Sequence, residues 1–345
     1  MPWRHWMEAA LYDEAEGYYA RQDRVRWGRA GDYRTSPEWS ALFPATFARC
    51  FARLYDESGT PATWTILEVG TGSGDFARDL LETCERRFPQ MFSRMHYIID
   101  ERSADARVLA RKRLQTFSER TQFARLDELH TLQAGIIFAN EVLDAFPVHR
   151  VTMRGGQLLE LYVALNQQGE FCWTTGQLST PRLAEFFRER RITLPDGHIA
   201  DVNLELEGWL KRASNKLHTG YLILVDYGAE TEELYYSPER RGGTLRGFFR
   251  HRFADVLANP GEHDLTTTVD WSFLRQTAEN LDLQVVQFER QDRFLLEAGI
   301  LQELELRTNE TLDEGERARL RVKARDMVLP GGMAESFQVL ILRKK

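Results

Sequence analysis

Two rhythms of apolar and polar positions run along this chain, and the change between them divides it. Residues 3–12 place apolar groups at helical spacing until Gly17-Tyr18-Tyr19 breaks the pattern. A glycine-punctuated loop follows over 27–43. Within it Ser36-Pro37-Glu38 predicts a helix start, with Ser36 as N-cap and Pro37 at the first helical position, and the helix runs towards Tyr55. From Thr65 short apolar strands alternate with helical segments: TILEV, a helix to Phe88, HYIID (96–100), a long helix over 103–119, a weak strand near 122–125, then GIIFANE (135–141). That alternation predicts parallel strands with right-handed helical crossovers and ligands outside the strand C-termini.

After Pro147 the period drops to two, which predicts an antiparallel meander around Arg154-Gly155-Gly156 and Gln167-Gln168-Gly169. Helical spacing returns over 182–191 and 201–217, and GYLILVDYG (220–228) resumes the parallel sheet. A helix over 270–280, the strand LQVVQFER (283–290), helices to about 325 and the strand SFQVLILR (336–343) follow. The late strands form an antiparallel pair at the sheet edge. The expected organisation is an α/β, Rossmann-like sheet in four parts. Residues 1–62 are an N-terminal helical and loop lid region, and 63–148 the first part of the core. An inserted meander and helical subdomain occupies 149–218. The rest of the core spans 219–345, with a loop-rich insertion rich in Gly, Arg and Phe at about 230–265.

Composition adds exclusions. The 345 residues are 43% hydrophobic and 28% charged, an ordinary soluble globular balance with no apolar run of membrane-spanning length. Acids and aromatics at the N-terminus replace the apolar stretch of a signal peptide, so a cytoplasmic protein is expected. A net charge of −7 argues against nucleic acid as partner, and the arginine-rich runs read as solvated faces. Cys50, Cys84 and Cys172 show no C-x-x-C, and the histidines no metal-ligand spacing, so neither a disulfide framework nor a metal is expected. A phosphate-binding G-x-x-x-x-G-K-[ST] loop and a G-x-S-x-G elbow are both missing.

The candidate chemistry lies at three strand ends. ILEVGTGSGD (66–75) is strand, glycine turn, helix, with Gly70, Gly72, Gly74 and the intervening Thr71 after Glu68. The third glycine of a dinucleotide fingerprint is missing, which disfavours a nicotinamide oxidoreductase. An acid followed by G-x-G-x-G suits S-adenosyl-L-methionine (SAM), with Glu68 receiving the amino end. Asp100 and Glu101 stand about thirty residues on, where a carboxylate can hold both ribose hydroxyls. The acid-x-Ser spacing to Ser103 favours Glu101; a bland reading makes these helix N-terminal acids. ANEVLDAFPVHR (139–150) brings Asn140, Glu141 and Asp144 to a buried strand's end, where paired carboxylates suit a guanidinium or amine acceptor. Helix capping by Asn140 or Asp144 is the bland alternative there.

Taken together, EAALYDEAEGYY (8–19), GDYRTSPEWSALF (31–43), EVGTGSGD, ANEVLDAFPVHR, LVDYG (224–228), GTLRGFFRHRFADVLANPGEHDLTTTVDW (243–271) and LPGGMAESFQVLIL (329–342) resemble the MidA-like family of SAM-dependent methyltransferases over nearly the whole chain. The resemblance implies a class I methyltransferase core with a seven-stranded sheet, SAM as cofactor, and a protein arginine as acceptor. It also implies a protein partner, with a respiratory-complex subunit as the known case, and assigns Asp32 and Ser36 to a loop over the cofactor or acceptor. Thr71 and Ser73 replace the family's proline and arginine in the turn but keep every glycine. The family's adenine-facing acid after the third strand has no clear counterpart, since Ala124 or Arg125 stands there and Asp127 falls late. A competing reading is a non-catalytic assembly chaperone that keeps the SAM fold as a binding module.

Overall fold

The computed structural model describes residues 1–21, 40–311, 313–329 and 336–345. Helices α1 (Trp3–Tyr12) and α2 (Leu42–Glu57) precede a βα series. This series runs β1 (Trp64–Val69), α3 (Asp75–Arg87), α4 (Pro89–Arg94), β2 (Met95–Asp100), α5 (Ala104–Arg113), β3 (Thr121–Phe123) and β4 (Leu132–Asn140). The meander comprises β5 (His149–Arg154), β6 (Gln157–Leu165) and β7 (Phe171–Gly176), followed by α6 (Pro181–Glu189), β8 (Ile199–Val202) and α7 (Glu205–Asn215). The chain re-enters the main sheet with β9 (Leu217–Ala229). Then come α8 (Thr231–Tyr236), a small sheet of β10 (Arg246–Phe249), β11 (Arg252–Ala254) and β12 (Asp264–Thr266), and the short β13 (Val269–Asp270). The last elements are α9 (Trp271–Asn280), β14 (Gln284–Arg290), α10 (Gln291–Ala298), α11 (Ile300–Glu310), α12 (Glu314–Val328) and β15 (Phe337–Lys344).

The main sheet has the order β14-β15-β9-β4-β1-β2-β3, with β13 alongside the end of β9. Strands β3, β2, β1, β4 and β9 are parallel, whereas β15 runs antiparallel to both β9 and β14. This is the α/β Rossmann-like class I methyltransferase sheet, with its late antiparallel pair at one edge. After β1 the chain moves towards β2 and β3, and after β4 it moves the other way to β9. The loops leaving β1 and β4 therefore diverge, and a crevice opens between them at the C-terminal ends.

Burial on both faces explains why the strands read as unbroken apolar runs: every residue of β1 is buried. Alternate side chains go to opposite layers. Ile66, Tyr97, Phe138 and Ile223 pack under α2 and α3, while Leu67, Ile137 and Leu222 pack against α7 and α9. In α2 the i, i+4 row Phe43, Phe47, Phe51 meets this first layer, and Phe76 of α3 stacks on Phe138 with ring centroids 4.5 Å apart. No helix among the described residues is long and apolar enough to cross a membrane.

Two expectations shift. The helix over 103–119 ends at Arg113, after which a 3-10 turn, Gln115–Phe117, swings Phe117 against Phe92. The helix over 201–217 gives up its start to β8, because pairing with β5 (Val151 opposite Ala200) claims that stretch for the meander sheet β7-β6-β5-β8. Tertiary pairing overrides local propensity there.

Gly74 terminates the glycine turn as the residue before α3, with φ +81°, and a Cβ there would lie 2.9 Å from Ala110 of α5. Gly59 has a similar φ of +76° but nothing within 4 Å. Gly74→Ala should therefore cost about 2–4 kcal/mol, the left-handed penalty plus overlap, and Gly59→Ala only about 1 kcal/mol. Urea unfolding of the two variants checks this; equal losses would show that the α3–α5 approach carries no cost.

Candidate active site

The turn after β1 is held by its neighbours. The Gly70 N–H donates to the Asp100 carbonyl (2.8 Å), which fastens the end of β1 to the end of β2. Gly70 has φ +72°, and a Cβ on it would lie 2.7 Å from Val142 Cγ2, so the loops after β1 and β4 touch at this point. Glu68 is only 4% exposed and accepts a hydrogen bond from the Tyr97 hydroxyl (2.8 Å). Burial pushes its carboxyl up to about 7, with the Tyr97 hydroxyl pulling the other way.

At the end of β2 the two acids part company. Glu101 accepts the N–H of Gly72 (2.9 Å) and of Ser103 (2.8 Å), so it spans the glycine turn and the start of α5. Burial raises its carboxyl and those two donors oppose the rise. Asp100 accepts the N–H of Leu126 (2.8 Å) and pairs with Arg125 (3.2 Å). Burial raises Asp100 too, and its oxygens are engaged with the turn after β3.

The loop after β4 is built around a residue that sequence reasoning missed. The Asp226 carboxylate is fully buried. One oxygen accepts the consecutive N–H groups of Val142 (3.2 Å), Leu143 (2.9 Å) and Asp144 (3.3 Å), and the other accepts that of Tyr227 (2.9 Å). Burial, then Asp144 and Glu141, push Asp226 upward against these donors. Just before the cap, Glu141 takes φ +55°, and its N–H donates to the Val225 carbonyl (2.9 Å). Asn140 Nδ2 donates to Glu141 Oε1 (3.0 Å), while the buried Asn140 Oδ1 meets no donor among the described residues. Asp144 accepts the Tyr227 hydroxyl (2.7 Å); burial pushes its carboxyl up to about 6 despite that bond.

Two cavities flank this loop. A cleft of about 350 Å³ is lined by Glu68, Gly70, Thr71, Gly72, Asp100, Glu101, Asn140 and Glu141. Its outer wall comes from Tyr12 of α1 and from Trp209 and Arg212 of α7, with Arg212 3.5 Å from Asp127. A second cavity of about 530 Å³ is lined by Glu141, Asp144, Tyr227, Arg240, Arg246, Phe248 and Phe337. Among the described residues, Glu141 and Tyr19 line both.

Most of the residues singled out from the sequence thus lie together in the first cleft. Gly74 does not line it and instead starts α3; Asp144 faces the second cavity. Asp32 and Ser36 fall outside the described residues. Asp226 and Tyr227 had a signal, an acid closing the apolar run of LVDYG. Trp209 and Arg212 had none, because α7 reaches the cleft only through tertiary packing. The cleft suits a ligand with an amino group and a ribose: the buried carboxylate of Glu68 and the half-buried one of Glu101, a glycine turn open to backbone approach, and an unmatched acceptor on Asn140.

Comparison with known proteins names such a ligand. Residues 46–289 match the family described as "Putative S-adenosyl-L-methionine-dependent methyltransferase". The protein arginine methyltransferase NDUFAF7, mitochondrial, of Homo sapiens is 25% identical over 98% of this chain and 78% of its own; that of Mus musculus is 26% identical over 98% and 79%. The Drosophila melanogaster homolog is 25% identical over 81% of this chain and 67% of its own. These relatives are named as mitochondrial proteins, which overturns the expectation of a cytoplasmic one. A Burkholderia thailandensis protein bound to S-adenosyl-homocysteine superposes with a TM-score of 0.87 at 25% identity, covering 100% of this chain and 88% of that one. An uncharacterized superfamily member from the same organism gives 0.85 at 27% identity, covering 100% and 87%. With the family match over most of its length and the sheet, turn and cleft described above, the chain belongs to the MidA-like family of S-adenosyl-L-methionine-dependent methyltransferases.

Proposed function

We propose that this methyltransferase methylates an arginine side chain of a protein, with cofactor in the first cleft and acceptor in the second cavity. The observation that carries this is the position of Glu141, a carboxylate on the wall between the two. The named activity of the NDUFAF7 relatives supports the acceptor class. A respiratory-complex subunit is the acceptor that the family resemblance offers.

Glu68 receives the cofactor's amino end, Glu101 the ribose hydroxyls, and the backbone of Gly70 and Gly72 borders the chain between them. Bound SAM supplies a methyl group on a positively charged sulfur, ready for in-line displacement. The protein's part is to aim the nucleophile and remove its proton. A guanidinium is protonated at any physiological pH and is a poor nucleophile. Glu141 and Asp144, which both line the second cavity, can hold its planar fork of N–H donors. Glu141, nearer the cleft, takes the proton released as the new N–C bond forms, and Tyr227 keeps Asp144 oriented.

Glu141→Gln should bind S-adenosyl-homocysteine within about threefold of wild type and transfer label from SAM at least about 100-fold more slowly. The assay uses lysate of a deletion strain as acceptor, with the labelled peptide mapped by mass spectrometry. Transfer at the normal rate would remove the proposed role, and label on a residue other than arginine would replace the acceptor class.

A pH dependence also follows from Glu68. Its carboxyl is raised to about 7, and a cationic amino group needs it ionised. Affinity is therefore full only about a unit or more above pH 7, and declines as pH falls through it. The expected loss is about tenfold between pH 7.5 and pH 6, and Glu68→Gln should flatten the profile. Calorimetry at the two pH values decides; a flat wild-type profile would exclude Glu68 as the amino-end partner.

A further inference from the structure

The segment Gly17-Tyr18-Tyr19 ends the first helical pattern and has no part in the scheme above, yet it supplies the second residue shared by the two cavities. Tyr19, like Glu141, lines both the cleft and the second cavity. Its placement is fixed from three directions. The Tyr18 and Tyr19 N–H groups donate to the carbonyls of Ala10 and Leu11 (2.9 Å each), which folds the segment back along α1. The Tyr19 hydroxyl donates to Asp264 of β12 (2.9 Å), itself only 5% exposed. Its ring stacks on Tyr12 with centroids 5.4 Å apart and planes 21° from parallel. Tyr12 is in turn held by the Arg102 guanidinium 4.4 Å from its ring and by a hydroxyl bond to the Ala145 carbonyl (2.9 Å).

This arrangement gives the wall between the cavities one carboxylate and one aromatic ring. Both favour positive charge: the carboxylate by Coulomb attraction, the ring through the negative potential over its face. The family's cofactor is a sulfonium cation, and its product, the thioether S-adenosyl-homocysteine, has lost that charge.

We propose that Tyr19 is a cofactor-contacting residue whose ring, rather than its hydroxyl, distinguishes the charged methyl donor from the uncharged product. It lowers the affinity of the spent cofactor relative to the loaded one. The hydroxyl bond to Asp264 only sets the ring's angle. This rests on the cleft as cofactor site and not on arginine as acceptor.

The test is calorimetric and needs no acceptor. The full-length protein and its Tyr19→Leu and Tyr19→Phe variants are titrated with SAM and with S-adenosyl-homocysteine, and the ratio of the two dissociation constants is compared. Leucine keeps the bulk without the ring, so Tyr19→Leu should weaken SAM by about tenfold relative to the product. Tyr19→Phe, which keeps the ring, should hold the wild-type ratio within about threefold. A packing role would weaken both ligands equally in Tyr19→Leu. That result, an unchanged ratio, or a ratio lost in Tyr19→Phe as well would overturn the proposal. Loss of label transfer in Glu141→Gln with arginine excluded as acceptor would leave it standing.

Discussion

The Asp226 carboxylate is the constraint on which the rest of the site depends. A fully buried carboxylate is costly unless its lone pairs are matched, and here four backbone N–H groups converge on it. Three of them are consecutive, so the chain after β4 must curl around one oxygen as soon as it leaves the sheet. That curl holds Glu141 in a left-handed conformation that ordinarily costs about 1–2 kcal/mol. It also sends Glu141 and Asp144, three residues apart, to different surroundings: Glu141 to the wall between the cavities, Asp144 under the Tyr227 hydroxyl. Strand β9 thus supplies the clamp and the neighbouring phenol from adjacent positions.

The same economy appears around the glycine turn. Gly70 touches Val142 of the clamped loop, and the Gly72 N–H binds Glu101 at the end of β2. Three strand ends are therefore joined by short contacts before any ligand is considered, as preorganisation of a cofactor site requires. The N-terminal helix closes the outer side through the Arg102–Tyr12–Tyr19 stack, so residues from before the sheet meet one that follows β2.

Local features of the sequence were legible because their signals are local. The strand, glycine turn and helix over 66–75, the acid at Glu101 and the polar end of β4 each carry their meaning within a dozen residues, and the parallel run of the core strands follows from the alternation of strand and helix. What stayed hidden depends on distant partners. Asp226 lies more than eighty residues from three of the four N–H groups it clamps, and Tyr19 lies 245 residues from Asp264. Asp100 and Glu101 are adjacent and chemically alike; what separates them is that β3 and its turn offer Asp100 the Leu126 N–H and Arg125. The start of α7 was misread because β5 recruits 199–202 as a strand, a choice that no local propensity announces.

The central claim is that the cofactor's sulfur sits where Glu141 and Tyr19 close the wall between the two cavities. A crystal structure of the protein with S-adenosyl-homocysteine bound tests it most directly. The account predicts the ribose hydroxyls on Glu101, the amino group towards Glu68, and the sulfur facing the gap between Glu141 and Tyr19 with the second cavity empty behind it. A ligand whose sulfur points away from that gap, or one that occupies the second cavity instead, would contradict it.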